Sequence, residues 1–251
     1  MPKGPLPRDP LPKGPLHRAK TYPYPILDHS FVFREGRAHA LADETDLPDL
    51  SGRTPVLAVG SNQSPEQLRR KFGDHDGGEI PVIRIELGNF DSVYSPHIAA
   101  YGAIAATLQE APGVTVTLFV TWLTDTQLVR MHETEVSSAN YGFALLSGLD
   151  IRAETGPPLD SLHIYTSTRG TLVHDGTPVP IAEIPACGRL WRARGQMDVQ
   201  HLVRDRLAPD VALDTFIHES IGDAALRRDR SDRLRDGAWP FQPAGLRQIP
   251  I

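Results

Sequence analysis

Cysteine is almost missing from this chain, since Cys187 is the single one among 251 residues. One thiol excludes an internal disulfide and a cluster of thiolate metal ligands. Cys187 is a weak candidate for a nucleophile, because Pro-Ala-Cys-Gly is typical of a loop or a strand end. Lone cysteines mostly serve as packing residues.

Long apolar runs and an excess of positive charge are missing as well. No stretch reaches the length of a membrane span, and no secretory signal with a basic start and an apolar centre is present. The formal net charge of −5 argues against a general nucleic-acid binder, which needs basic residues to replace the counterions of phosphate. These absences predict a cytoplasmic protein that binds neither nucleic acid nor membrane.

The sequence signatures of common chemistries are also absent. There is no P-loop, no dinucleotide-binding fingerprint, no Gly-x-Ser-x-Gly elbow and no His-Glu-x-x-His pair. His132-Glu133 is not followed by a second histidine one helical turn later, and the other histidines are scattered. We therefore expect neither a metal nor a cofactor.

Proline dominates the start of the chain, where Pro-Lys-Gly-Pro-Leu occurs from Pro2 and again from Pro12. Proline at this density disfavours helices and central strands, so residues 1–20 are predicted to be extended. The segment is either solvated or an arm that lies across a partner subunit and forms a homo-oligomer. We divide the chain into a Pro-rich extended arm and lead-in (1–53), a main domain (54–195) and a C-terminal helical extension (196–251).

The main domain reads mostly as β-structure, with one helix that is capped by Thr124 and Gln127. Asp175-Gly176 is a strong hairpin turn. The predicted strands are Pro55–Ala58, Pro81–Leu87, Phe90–Tyr94, Ala99–Leu108, Val114–Leu123, Tyr141–Leu146 and Leu162–Thr166. These patterns predict an α+β fold, with a mostly antiparallel sheet that curls toward a barrel and has flanking helices.

Helical patterns return in the C-terminal extension. They cover Asp198–Arg206, Ala212–Ile221 and Ala224–Arg235. The last of these mixes many arginines with aspartates, which is more typical of a solvated helix face than of an anion site.

The most informative segment is an apolar strand that runs through Gly60-Ser61-Asn62 into a helix start with Ser64 as N-cap and Pro65 next to it. A strand that enters a helix in this way leaves backbone N–H groups pointing into a crevice. Such a place binds carboxylate or phosphate, and glycine lets the ligand approach the main chain. An ordinary strand-to-helix turn is the alternative interpretation.

A second candidate lies at the end of the helix that Thr124 caps, where the sequence reads His132-Glu133-Thr134-Glu135. Carboxylates two residues apart on a helix point in different directions, so at most one of them can enter a given pocket. Taken alone, this segment is also compatible with two solvated glutamates.

The order of these motifs resembles that of the gamma-glutamylcyclotransferase-like superfamily. That family has a Tyr-Gly-Ser-Asn-Leu turn, a Gly-x-Ala-Thr strand, and a strand with Trp before a helix that ends in an Asp/His-x-x-Glu-Gly-type sequence. A tyrosine follows the glutamate. The matching segments here are Gly60–Asn62, Leu87–Phe90, Tyr101–Leu108, Trp122, Leu128, Met131–Glu135 and Tyr141. The chain is identified as a divergent bacterial-type member, with N- and C-terminal extensions outside the resemblance.

The resemblance implies a reaction and a set of site residues. The reaction is the cyclisation of a γ-glutamyl amide or peptide to 5-oxoproline with release of an amine, without metal or cofactor. Glu135 rather than Glu133 takes the acid/base role, and we expect burial to raise its pKa toward neutrality. The substrate-binding residues implied by the family are Val59, Gly60, Ser61, Asn62, Tyr141 and Tyr165.

The chain departs from the family pattern at three residues and in one spacing, since Tyr141 follows Glu135 one residue sooner than the family's tyrosine follows its glutamate. Val59 stands where the family usually has Tyr, Gln63 where it has Leu, and Val136 where it has Gly. Two other functions therefore remain open. One is the same fold acting as a different amide transferase or hydrolase, and the other is a non-catalytic binding or assembly protein that uses its Pro-rich arm.

Overall fold

The computed structural model of this chain describes residues 14–41, 46–73, 78–136 and 140–251. Six α-helices lie in these ranges: α1 Pro15–Lys20, α2 Pro65–Phe72, α3 Asp125–Glu135, α4 Gln196–Leu207, α5 Leu213–Gly222 and α6 Ala224–Leu234. The strands are β1 Phe31–Arg34, β2 Arg37–Ala40, β3 Thr54–Ala58, β4 Ile80–Ile98, β5 Ile104–Leu123, β6 Tyr141–Ser147, β7 Ile151–Ala153, β8 Ser161–Ser167, β9 Val173–His174, β10 Thr177–Pro178, β11 Ala186–Cys187 and β12 Leu246–Ile249.

Ten of these strands form one sheet. Its main order is β12-β6-β8-β3-β5-β4-β1-β2, with β11 beside β5 and β7 beside β4. Among the described strand pairs, β3–β8 is parallel and all the others are antiparallel. The predicted α+β fold with a mostly antiparallel sheet is confirmed, although the order of strands is open rather than a closed barrel.

The two longest strands, β4 and β5, pair along most of their length and separate two hydrophobic cores. Leu118 and Val120 of β5 belong to one core, whereas Phe119 and Leu123 belong to the other. This alternation follows from the strand period of two, which sends neighbouring side chains to opposite faces of the sheet. Both faces are covered, so both sets of side chains are buried.

Both ends of the described chain pack in the first of these cores. Ala19 and Tyr22 come from the N-terminal segment, and Val203, Phe216 and Leu234 come from the last three helices. The helices α4, α5 and α6 agree with the predicted helical segments to within a few residues.

The predicted extended arm is wrong for residues 15–20, which form α1. Gly14 adopts φ +89°, and Pro15 follows at the first helical positions, where its missing N–H leaves no bond unmade. Ala19 anchors the helix by full burial in the core. Residues 1–13 lie outside the described ranges, so contact of the arm with a second subunit stays a prediction.

The predicted strand Ala99–Leu108 is shorter than expected, since β5 begins at Ile104. A turn precedes it, with Gly102 at φ +86° and its carbonyl accepting a hydrogen bond from Gln200 Nε2 at 2.8 Å. The expected strands 81–87 and 90–94 are joined in the single strand β4, which has a register shift between Gly88 and Phe90.

The described helices include none with the length and apolar character required to cross a lipid bilayer.

Helix α3 begins with the predicted capping box. The Gln127 N–H donates to Thr124 Oγ1 at 3.3 Å, and the Thr124 N–H donates to Gln127 Oε1 at 2.9 Å. These bonds satisfy two N–H groups that would otherwise be orphaned at the helix start. Helix α3 ends at Glu135, so the cap fixes the origin of the helix that carries both glutamates.

Replacing Thr124 with Ala should remove the side-chain half of this box and cost about 1 kcal/mol of stability. For a chain of this size that corresponds to a fall in Tm of roughly 2–4 °C by calorimetry. Thr124→Ser keeps the hydroxyl and serves as the matched control, with a Tm near that of the unchanged protein. Equal losses in both variants would contradict a capping role for the Thr124 hydroxyl.

Candidate functional site

A cavity of about 640 Å³ opens between the turn that follows β3 and the end of α3. Helices α1 and α6 contribute further lining residues. All the site residues proposed from the sequence line this one cavity: Val59, Gly60, Ser61, Asn62, Glu135, Tyr141 and Tyr165. The structure therefore brings these residues together, while their roles in binding and catalysis stay predictions.

The turn after β3 is a single 3-10 turn over Ser61–Gln63. The Gln63 N–H donates to the Gly60 carbonyl at 3.2 Å and closes the turn. Gly60 is required here by close approach, because a Cβ at this position would lie 2.2 Å from the Tyr22 hydroxyl oxygen and 2.7 Å from Ala106 Cβ. Any side chain at residue 60 would push these groups out of the cavity wall.

The two glutamates of α3 have different surroundings. Glu133 is exposed and forms an ion pair with Arg130 at 2.8 Å, whereas the Glu135 side chain is only 16% exposed. Among these two carboxylates, Glu135 is the one that lines the cavity. The geometry thus agrees with the direction predicted from helical spacing.

Two donors from different elements converge on one oxygen of the Glu135 carboxylate. Lys71 of α2, whose side chain is 5% exposed, forms an ion pair with Oε1, and Asn62 Nδ2 donates to the same atom at 3.0 Å. No described residue hydrogen-bonds to Oε2. One oxygen is therefore held by the protein, and the other is left to meet a ligand.

The pKa of Glu135 is lowered, which corrects the expectation of a raised value. Burial by itself raises this pKa, but the neighbouring charge of Lys71 and the hydrogen bonds from Lys71 and Asn62 outweigh it. The ionised form is stabilised because both donors interact with the carboxylate rather than with the acid. Glu135 is therefore a carboxylate throughout the neutral range.

Four tyrosines line the described part of the cavity, and the hydroxyls of three of them are hydrogen-bonded within the protein. Tyr141 donates to the Ala106 carbonyl at 2.8 Å, the Tyr22 hydroxyl accepts from the Ala106 N–H at 2.9 Å, and Tyr165 is bonded to His132 Nδ1 at 2.8 Å. Burial raises the pKa of each of these hydroxyls, so all three stay neutral.

His97 of β4 is a lining residue that the sequence did not suggest. It is buried, its ring contacts Tyr141 edge to face, and Ser95 Oγ lies 3.1 Å from its Nδ1. Burial lowers its pKa to about 4, and nearby Arg169 acts in the same direction. The ring is therefore neutral at physiological pH and adds polarity to the cavity without charge.

Lys71 and a group of arginines also line the cavity without having been predicted. The arginines are Arg18, Arg70, Arg169, Arg227 and Arg228. Their positions are set by contacts between segments far apart in the sequence, so no local motif announces them. A basic last turn in α2 was visible, but helix ends are often basic for electrostatic reasons alone.

Within the described ranges, no group of three or more His, Cys, Asp or Glu side chains is arranged to hold a metal ion.

Comparison with known proteins gives structural neighbours at low similarity. No protein-family model matches the chain, and no curated protein matches its sequence. A gamma-glutamyl cyclotransferase structure is 16% identical, over 46% of this chain and 67% of its own, with a TM-score of 0.36. A solution structure from Arabidopsis thaliana is 15% identical, over 48% and 72%, with a TM-score of 0.36. An uncharacterized Homo sapiens protein is 13% identical, over 78% and 93%, with a TM-score of 0.39.

Replacing Lys71 with Met should destabilise the fold by an amount that depends on pH. In the unchanged protein the lowered pKa of Glu135 stabilises the fold above the ordinary carboxyl pKa, and this stabilisation is lost as pH falls. In Lys71→Met burial dominates, so the pKa of Glu135 rises and the fold loses stability as pH increases. Urea unfolding should show a small difference near pH 4 and about 3 kcal/mol near pH 8.

The double variant Lys71→Met/Glu135→Gln isolates the pair, because it has no carboxylate left to titrate. As pH rises, the difference in stability between the double variant and the unchanged protein should grow far less than the same difference for Lys71→Met. A Lys71→Met defect of equal size at both pH values would contradict an ion pair with Glu135 as the cause.

Proposed function

We propose that this cavity cyclises a γ-glutamyl amide or peptide to 5-oxoproline and releases an amine. The observation that carries the proposal is the position of Glu135, which lines the same cavity as the Gly60–Asn62 turn and whose two described donors both contact Oε1. A γ-glutamyl amide contains its own nucleophile, the α-amine, and its own electrophile, the γ-carbonyl. The reaction therefore needs a curled substrate and transfer of protons.

The turn is suited to holding the glutamyl part of such a substrate. The backbone hydrogen bonds of the turn begin at the Gln63 N–H, and the Ser61 N–H is directed at the Tyr22 hydroxyl, so the Asn62 N–H is the donor that lies outside both. Backbone donors beside a glycine can approach a carboxylate or a developing oxyanion closely. Fixing the α-carboxylate while the chain curls brings the amine to the γ-carbonyl and lowers the entropic part of the barrier.

Glu135 then moves the protons. Its carboxylate takes a proton from the α-ammonium, and the freed amine attacks the γ-carbonyl carbon to give a tetrahedral oxyanion. When the bond from this carbon to the departing nitrogen breaks, the Glu135 acid gives that nitrogen its proton. A second proton follows the same route, so two protons in all pass from the attacking to the departing nitrogen.

The lowered pKa of Glu135 favours the proton-donating half of this cycle and makes the carboxylate a weaker base toward the α-ammonium. The group is already ionised before substrate arrives, and its acid form, once made, gives up the proton readily. Lys71 keeps the carboxylate in place through Oε1, so proton exchange is assigned to Oε2. The tyrosine hydroxyls and the neutral His97 ring supply polar contacts without changing the charge of the site.

Replacing Glu135 with Gln keeps shape and the Asn62 side of the site but removes the proton carrier. We expect kcat for 5-oxoproline formation to fall by about 10²–10⁴-fold with a much smaller change in KM. Glu133→Gln is the matched control on the same helix and should keep activity within about twofold of the unchanged protein. Chromatography of 5-oxoproline across a set of γ-glutamyl compounds provides the assay.

The products separate this proposal from the other functions considered. Free glutamate in place of 5-oxoproline would indicate hydrolysis by the same cavity. Near-normal lactam formation by Glu135→Gln would overturn the mechanism. Absence of turnover with every γ-glutamyl compound would favour a binding or assembly protein.

The pH dependence of kcat/KM gives a separate test. With the pKa of Glu135 lowered, activity should be retained down to below the ordinary glutamate value and fall only when the carboxylate is protonated. In Lys71→Met the acidic limb should move to higher pH, because burial then raises the same pKa. An acidic limb at the same pH in both proteins would contradict control of Glu135 by Lys71.

A further inference from the structure

We propose that the substrate's amine half carries two or more negative charges, as a phosphate or a pair of carboxylates, and that Arg18, Arg227 and Arg228 bind it. This inference rests on the proposed function and names the class of substrate for the same cavity. We call these three residues the arginine wall.

The arginine wall is formed by two elements from opposite ends of the chain. Arg18 comes from α1, and the other two come from α6. The α6 residues that line the cavity are Ala224, Arg227, Arg228 and Ser231. This spacing of three, four and seven residues defines one face of a helix, so α6 turns a continuous stripe toward the cavity. Ala224 and Arg228 of this stripe are exposed, so the stripe is a solvated face that also borders the cavity.

The members of the arginine wall differ from the other cations of the cavity in lacking an acidic partner. Lys71 is paired with Glu135, Arg70 with Glu66 at 2.5 Å, and Arg169 with Asp232 at 2.6 Å. No carboxylate among the described residues lies within ion-pair distance of any member of the arginine wall. Three guanidinium charges at the cavity are thus left uncompensated.

Contacts with uncharged groups hold two members of the arginine wall in place, so their positive charges are not neutralised. The Arg18 guanidinium stacks 4.3 Å from the centre of the Tyr101 ring. Arg227 Nη1 donates to the Ser220 carbonyl at 2.7 Å and to the Ile221 carbonyl at 3.3 Å, at the end of α5. Pre-positioned guanidinium groups bind an anion with less loss of side-chain freedom than mobile ones.

The charges of the cavity indicate what the ligand must bring. Glu135 is the one carboxylate among the described lining residues, and Lys71 neutralises it. The γ-glutamyl group itself is neutral overall, because its α-ammonium and α-carboxylate cancel. A single carboxylate on the amine half would neutralise one of the three charges of the arginine wall, whereas a dianionic group would neutralise two of them. Guanidinium forks suit the paired oxygens of phosphate and carboxylate.

A series of four γ-glutamyl substrates with increasing negative charge on the amine half tests this inference. They are the γ-glutamyl derivatives of alaninamide, alanine, aspartate and O-phosphoserine. We expect kcat/KM for 5-oxoproline release to rise along the series, by about tenfold or more between the neutral and the dianionic members. Added NaCl should reduce this preference by screening. The better of aspartate and phosphoserine identifies dicarboxylate or phosphate as the preferred group.

Variants of α6 assign the preference to the arginine wall. Arg227→Ala/Arg228→Ala should make kcat/KM nearly equal across the series, because the loss falls mainly on the negatively charged members. The matched control is Arg233→Ala/Arg235→Ala, which removes the same charge from the last turn of α6 and its C-cap, outside the cavity, and should keep the preference. Arg228→Ala alone breaks no described contact, so a partial loss of preference in this variant is independent of folding.

The outcomes separate this inference from the proposed function. Equal kcat/KM for all four substrates in the unchanged protein overturns the arginine wall as a substrate site and leaves lactam formation standing. If none of the four yields 5-oxoproline, the proposed function fails, and calorimetry decides the inference. Binding of O-phosphoserine but not serine, abolished in Arg227→Ala/Arg228→Ala, then supports an anion site, and equal or absent binding of both overturns it.

Discussion

The antiparallel pairing of β4 with β5 is the interaction on which the rest of the structure depends. Strands β1 and β7 pair with β4, and strands β3 and β11 pair with β5. The register Thr54↔Leu123 between β3 and β5 places the exit of β3 and the start of α3 relative to each other. A slip of one residue would exchange the two cores, so burial on both faces fixes the register and with it the distance from the Gly60 turn to Glu135.

The sheet positions a cavity whose central charged groups interact strongly but sum to little net charge. Lys71 and Glu135 neutralise each other in a mostly buried setting, where breaking such a pair leaves an unmatched charge. His97 and the tyrosines remain neutral because burial disfavours their charged forms. Positive charge accumulates instead toward α1 and α6. The proposed proton transfer is thus assigned to the centre of the cavity, and the proposed recognition of an anion to its border.

Local patterns predicted much of this molecule and failed where distant segments meet. The capping box of Thr124 and Gln127 depends only on residues close together in the sequence, and the direction of Glu135 follows from helical geometry. Lys71 could not be foreseen as its partner, since the two residues are 64 positions apart and meet only when α2 and α3 pack together in the folded chain. The Tyr22 hydroxyl, from the segment after α1, lies against Gly60, and no local motif reveals this contact. The balance that lowers the pKa of Glu135 likewise depends on tertiary contacts.

Because both α1 and α6 form walls of the cavity, the cavity is incomplete during synthesis of the protein on the ribosome. Domains form during synthesis as their segments emerge, and the sheet strands up to β8 emerge well before Arg227 and Ser231. Until α6 is released, one side of the cavity is open, and the apolar surface that Phe216 and Leu234 later cover is exposed to water. A stalled or truncated nascent chain would therefore expose an incomplete cavity and an uncovered apolar surface at the same time. Release and packing of α6 complete the cavity and bury that apolar surface in a single step.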